Sequence, residues 1–155
     1  MAKWLLEHGA IIDADCLSAA MYNMEILKLL LEQGSNANAK DDKGNTALHS
    51  AAKFSKVKAA QLFLQYKADV NAKNKKGKTP LHKSMNVCIK IEMIRLLLAN
   101  GAEVNARDSQ NKTSLDLLEA HLAEGWTSEH KNKVKEIIRL LKAHGAQSDS
   151  CCLIL

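Results

Sequence analysis

Aromatic residues make up 4% of the 155-residue chain, and proline occurs once, as Pro80. A sandwich or barrel of many short strands and proline turns needs more of both, so that class is set aside. The four cysteines, Cys16, Cys88, Cys151 and Cys152, form neither a C-x-x-C pair nor an evenly spaced disulfide frame. That pattern argues against zinc and against a disulfide scaffold. Cys16 and Cys88 are expected as reduced core residues. No run approaches the roughly 20 apolar residues that cross a bilayer, and the N-terminal stretch lacks a signal peptide's apolar core and cleavage site. The chain is expected in the cytosol of the cell that makes it. Arginine is scarce, 3 residues against 19 lysines.

What is present suits a soluble helical domain, with 46% hydrophobic and 25% charged residues and a preponderance of Leu, Ala, Lys, Glu and Asn. The net charge of +5 is unevenly spread. Residues 40–100 hold 13 basic and 4 acidic side chains, the remainder 9 and 13. This central positive belt admits an acidic protein, nucleic acid or an anionic membrane surface as partner, or simply a solvated lysine face.

The chain repeats itself. Thr46-Ala-Leu-His49, Thr79-Pro-Leu-His82 and Thr113-Ser-Leu-Asp116 follow one another at 33 and then 34 residues. Apolar runs from Leu5, Leu30, Phe63, Leu97 and Leu140 close helices at or near glycine. Similar links run from Asn38 to Gly44, from Asn71 to Gly77 and from Asn105 to Asn111. The period describes a helix, turn, helix and hairpin.

In these residues the chain resembles the ankyrin-repeat family, over about residues 1 to 147. The resemblance implies an all-α solenoid of about four and a half repeats linked by β-hairpin fingers. A partial repeat covers 1–14 and fuller ones about 15–45, 46–78, 79–112 and 113–147, followed by a tail at 148–155. The physical logic agrees: each helix pair carries apolar positions on both sides, such as Val57, Leu62, Leu64 and Ile94, and must stack to bury them. His49 and His82 are expected to tie the hairpin to the helix start with Thr46 and Thr79. Asp116 replaces the histidine in the last repeat as a helix cap. Asn111 stands where Gly44 and Gly77 supply a left-handed backbone.

Three departures are visible. Gly9 to Gly34 is 25 residues rather than 33, so residues 10–15 are expected as a plain turn. Trp4, Leu5 and Leu6 lack a covering first helix, so either that end is open and frayed or, the preferred reading, a preceding repeat is missing. Gly101 to Gly145 is 44 residues, and the extra 11 are placed near 123–133, between the helices of the last repeat. Trp126, within them, is read as a lid on the apolar end of the stack in preference to a binding residue.

No phosphate loop, nucleophile with base or H-E-x-x-H motif occurs, and the six histidines scatter over different repeats. No enzyme activity, cofactor or metal is expected. The resemblance implies a concave protein-binding face of finger tips and first helices. Finger tips fall at Asp41, Asp42 and Lys43, at Asn74, Lys75 and Lys76, and at Asp108, Ser109 and Gln110. Exposed first-helix positions fall at Ser50, Lys53, Phe54, Lys83, Asn86 and Leu117. Lys53, Lys75, Lys76 and Lys83 are expected on one concavity around Phe54, which suits an acidic protein partner bound by a monomer. Nucleic acid is the rival, weakened by the few arginines and the lack of an aromatic platform.

The last four residues, Cys152-Leu-Ile-Leu155, form a C-a-a-X box that resembles the termini of prenylated small GTPases. A terminal Leu favours geranylgeranyl, and Cys151 is a candidate second, palmitoyl, site for a membrane anchor. The alternative is an apolar tail packed on the last repeat. Lysine and asparagine enrichment together with the box resembles effectors that intracellular bacteria place in host cytosol; a eukaryotic adaptor is the other reading.

Overall fold

The computed structural model describes residues 13–86, 89–122 and 128–147. They form four helix pairs: α1 (Ala14–Ala20) with α2 (Met24–Glu32), α3 (Ala47–Lys53) with α4 (Val57–Gln65), α5 (Pro80–Ser84) with α6 (Ile91–Ala99), and α7 (Ser114–Leu122) with α8 (Ser128–Ala143). First helices pack in series, α1 on α3 on α5 on α7, and second helices do likewise, α2 on α4 on α6 on α8. This is the solenoid expected from the period, and the repeats share one continuous core.

Helical spacing selects the core residues. Ala14, Leu17 and Ala20 are buried on α1, Leu27, Leu30 and Leu31 on α2, Met93, Ile94 and Leu97 on α6, and Val134, Ile137 and Leu141 on α8. Cys16 lies off the α1 stripe and is exposed, which corrects its reading as a core residue. Small residues on α3, Ala47, Ala51 and Ala52, are fully enclosed and let α5 approach closely. Phe63 is wholly buried, and truncating such a side chain to alanine costs about 3–5 kcal/mol.

Each finger is a tight turn fastened by one side chain, and no strand occurs among the described residues. Asp41 N–H donates to the Asn45 carbonyl at 2.8 Å, but the Asp41 carbonyl accepts from Gly44 N–H, also at 2.8 Å. The return bond of a ladder is replaced by Asn45 N–H donating to Asp41 Oδ1 at 2.7 Å. The β-hairpin expectation therefore reduces to a side-chain-closed turn. Successive fingers join through Lys75 N–H to the Lys43 carbonyl and Ser109 N–H to the Lys76 carbonyl, each at 3.0 Å. A Cβ at Gly77 would lie 2.8 Å from Ser109 N, and one at Gly44 2.9 Å from Lys75 N. Asn111 adopts φ 61° in the last finger, beyond which the described chain holds no further finger to collide with. Only the left-handed backbone is required there, and asparagine tolerates it.

A second connection recurs at each junction. The Asn38 amide donates to the Lys67 carbonyl at 3.0 Å and its Oδ1 accepts from Asp69 N–H. Asn71 does the same to Gly101 and Glu103, and Asn105 to Gly145 and Gln147. One carboxamide thus clasps the helix end of the following repeat.

Irregularities collect at the other end of the helices. The residue that lengthens the spacing from 33 to 34 lies between Met85 and Lys90, where α5 stops after 5 residues against 7 in α3. In the last repeat the 11 extra residues lengthen the helices more than the connection. α8 has 16 residues against 9 in α4 and α6, and α7 has 9 against 7 in α3. Only two remain for the connection, so the segment expected between the helices is largely the first turns of α8. The turn expected at 10–15 also ends sooner, because Asp13 caps α1 by accepting from Cys16 N–H at 2.9 Å. Trp4, Cys88, Trp126, Cys151 and Cys152 lie outside the described residues.

Candidate interaction face

The finger bases are built from a polar relay. Asp41 Oδ1 accepts from Lys43 and Asn45 N–H, and Asn74 Oδ1 accepts from Lys76 and Lys78 N–H. Asp108 Oδ1 accepts from Gln110 and Lys112 N–H, while its Oδ2 faces Lys78 Nζ at 3.7 Å. Asp108 is 6% exposed. Its reading as a partner contact is therefore corrected: it closes the turn, as Asp41 and Asn74 do. Partial burial opposes the Asp41 charge, but hydrogen bonds from Asn45 and Lys43 outweigh it and hold the carboxyl below its usual range. The outward tips are Asp42 and Lys43, Lys75 and Lys76, and Ser109 and Gln110, all exposed.

His49 and His82 have structural posts. His49 Nδ1 accepts from Thr46 N–H at 3.1 Å and pairs with Thr46 Oγ1 at 2.9 Å, while Nε2 meets the Lys78 carbonyl at 2.9 Å. His82 repeats this with Thr79 and the Lys112 carbonyl. A ring that accepts at Nδ1 and donates at Nε2 is neutral and in one tautomer. Burial is the main cause that pushes both pKa values below the usual histidine range. The tie joins the helix start to the base of the finger that follows it, Lys78 for His49 and Lys112 for His82, which is the link between hairpin and helix start that the resemblance implied. Asp116 keeps the helix-start half, its Oδ2 accepting from Thr113 N–H and Oγ1, both at 2.8 Å.

Between the first complete finger, α3 and the start of α5 lies a depression of about 200 Å³, lined by Lys43, Ser50, Lys53, Phe54 and Lys83 together with Asp41. Phe54 is 48% exposed, and Lys53 Nζ stands 5.0 Å from its ring centroid. Lys83 is half-buried. Burial lowers its pKa, and the nearby charges of Lys53, Lys78 and Lys76 lower it further, with Asp41 opposing. The structure thus brings Lys43, Ser50, Lys53, Phe54 and Lys83 together, with Lys76 close enough to be felt, and leaves Lys75 at the exposed finger edge. Lys78 was missed by sequence reasoning; its place one residue before Thr79 was the available signal. Asn86 is committed elsewhere: its amide donates to the Lys53 carbonyl at 2.9 Å and the Lys83 carbonyl at 2.8 Å, clamping the ends of two first helices. Leu117 is half-buried against the core rather than exposed.

Among the described residues no three His, Cys, Asp or Glu side chains gather as metal ligands, and no helix is long and apolar enough to cross a membrane. The stacked pairs, the Thr-His ties and the fingers define a protein-interaction scaffold. The chain belongs to the ankyrin-repeat family: the family model for ankyrin repeats matches three copies over residues 16–108. Members of this family are typically non-enzymatic and mediate protein–protein interactions. A search of curated proteins finds no match to the chain.

Proposed function

We propose that the chain is a non-catalytic, monomeric module that binds an acidic segment of a partner protein on its concave face. The observation that carries this reading is the half-buried Lys83 ammonium, set among Lys53, Lys76 and Lys78 beside the exposed Phe54 ring. Like charges held together in a depression repel one another, and an incoming carboxylate relieves that repulsion while an apolar neighbour covers Phe54. Reversal of Lys53, Lys76 and Lys83 to Glu should slow association with the captured partner and remove most of its salt dependence, with the fold intact. Unchanged rate and salt slope refute the assignment. Steep salt-dependent binding of duplex DNA by the same lysines would instead favour nucleic acid.

The second part of the proposal concerns Cys152. With Leu155 as the terminal residue of the mature protein, the Cys152 thiolate displaces pyrophosphate from a geranylgeranyl donor and forms a thioether. Acylation of Cys151 would supply the second anchor that stable attachment to a cytosolic membrane face requires. Such a module would act as an effector in a host cytosol or as a eukaryotic adaptor. Intact mass of the protein from eukaryotic cells tests the proposal, and an unmodified Cys152 there refutes it.

A further inference from the structure

A second surface lies where first helices turn into second helices, and it shares no residue with the basic depression. Met21, Met24, Val57 and Ala59 make an apolar floor within a depression of about 310 Å³. Lys56, Lys58 and Lys90 stand around it, and no acidic side chain lines it. Beside it Tyr22 is 62% exposed, with Lys56 Nζ 4.4 Å from its ring centroid, and Ile26 is 41% exposed.

Two of these lysines occupy positions that folding does not favour. Lys56 and Lys90 are the N-caps of α4 and α6, and neither makes a side-chain capping bond. In the preceding pair Asn23 holds that position on α2 and accepts from Glu25 and Ile26 N–H, each at 3.2 Å. Capping prefers Asn, Asp, Ser or Thr, and a cation at a helix N-terminus faces the positive end of its dipole. Lysine in consecutive repeats therefore costs helix stability at the rim of one groove.

We propose that this groove docks a short acidic amphipathic segment of a partner protein. One or two apolar side chains rest on the Met21, Met24 and Val57 floor, and flanking carboxylates meet Lys56, Lys58 and Lys90. Charge complementarity selects this occupant: the rim is wholly cationic, the floor apolar, and lining from three successive repeats makes an extended ligand the natural fit. A bilayer suits the groove less, because Met21 and Ala59 are buried at its floor and the apolar surface is recessed rather than projecting. Nucleic acid suits it less too, because no arginine lines it.

The test titrates the nitrogen-15-labelled full chain with a short peptide bearing a Leu-Phe pair between Asp-Glu pairs. Amide shifts are expected at Tyr22, Ser55, Val57, Lys58 and Ala59. Lys58→Glu with Lys90→Glu should weaken binding about tenfold or more with the thermal midpoint retained. Lys43→Glu with Lys53→Glu should leave it unchanged, which separates this surface from the concave one. Shifts confined to the concave face, equal affinity in the Lys58 and Lys90 variant, or no binding overturns the proposal. So does a groove that takes up phosphatidylserine vesicles, duplex DNA or a second copy of the chain while refusing the peptide.

Discussion

Replacing Gly77 and Gly101 separately by alanine distinguishes backbone strain from contact between repeats. Both glycines are left-handed, at φ 68° and 83°. At Gly101 an added Cβ meets nothing within 4 Å, so alanine bears only the conformational cost, about 1–2 kcal/mol. At Gly77 the same atom falls 2.8 Å from Ser109 N, 3.1 Å from Asp108 C and 3.2 Å from Asp108 Cα, all backbone and unable to swing aside. The next finger must move, which strains or breaks the bond from Ser109 N–H to the Lys76 carbonyl. Losing that bond adds about 1 kcal/mol, and the displacement adds about 1–3 kcal/mol. Urea unfolding of the two variants, followed by far-ultraviolet circular dichroism, should place Gly77→Ala at least about 2 kcal/mol below Gly101→Ala. Equal losses would show that the close approach of the fingers contributes nothing, and the account of Gly44, Gly77 and Asn111 would fail with it.

The folded state depresses the pKa of His49 and His82 below 6.5 and so binds fewer protons there than the unfolded chain. Stability should be full above about pH 6.5 and fall on acidification by up to about 1.4 kcal/mol per pH unit for each histidine. Urea midpoints between neutral and mildly acidic pH check this, and replacing both histidines by asparagine should flatten the profile. Asn71→Ala should cost about 1–2 kcal/mol by removing two bonds to the next repeat, and should speed amide hydrogen exchange at Glu103. Lys67, exposed at φ 60° where other pairs end in glycine, should gain about 1 kcal/mol of stability on Lys67→Gly, read from the same unfolding curves.

The stack was legible because its determinants are side chains that recur in phase: Thr with His three residues on, Asn eight residues before that Thr, and glycine between. What the reading missed has physical reasons. The far end of each histidine tie is a backbone carbonyl, Lys78 or Lys112, which leaves no mark in a sequence. Asp108 was placed on the finger tip by position alone, although an Asx residue three before the left-handed position in every finger was a sign of a side-chain-closed turn. Cys16 was assigned to the core by residue type, although the i, i+3 spacing of Ala14, Leu17 and Ala20 already placed it on another face. The extra residues of the last repeat were put in the connection, while the helical spacing of Val134, Ile137 and Leu141 runs through a 16-residue α8. For the candidate face, the grouping of Lys53, Phe54 and Lys83 was legible from their places on and beside the first helices of adjacent repeats. The commitment of Asn86 to two carbonyls was not, because it depends on where two helices happen to end.

The asparagine clasps give the array a phase. From Asn38 to Thr46, from Asn71 to Thr79 and from Asn105 to Thr113 the count is always eight, while the return from Thr to the next Asn runs 25 and then 26 residues. Each carboxamide reaches the helix end of the next repeat, 29, 30 and 40 residues away in turn, and must arrive with its finger already aligned to the next. One residue added within those eight would set finger and clasp out of step at that junction, and the mismatch would pass to everything stacked beyond it. One residue added between Met85 and Lys90 has already been absorbed, with α6 keeping the 9 residues of α4. The molecule therefore has a timed edge and a slack edge, and new length can enter by the slack edge without disturbing the order of the rest.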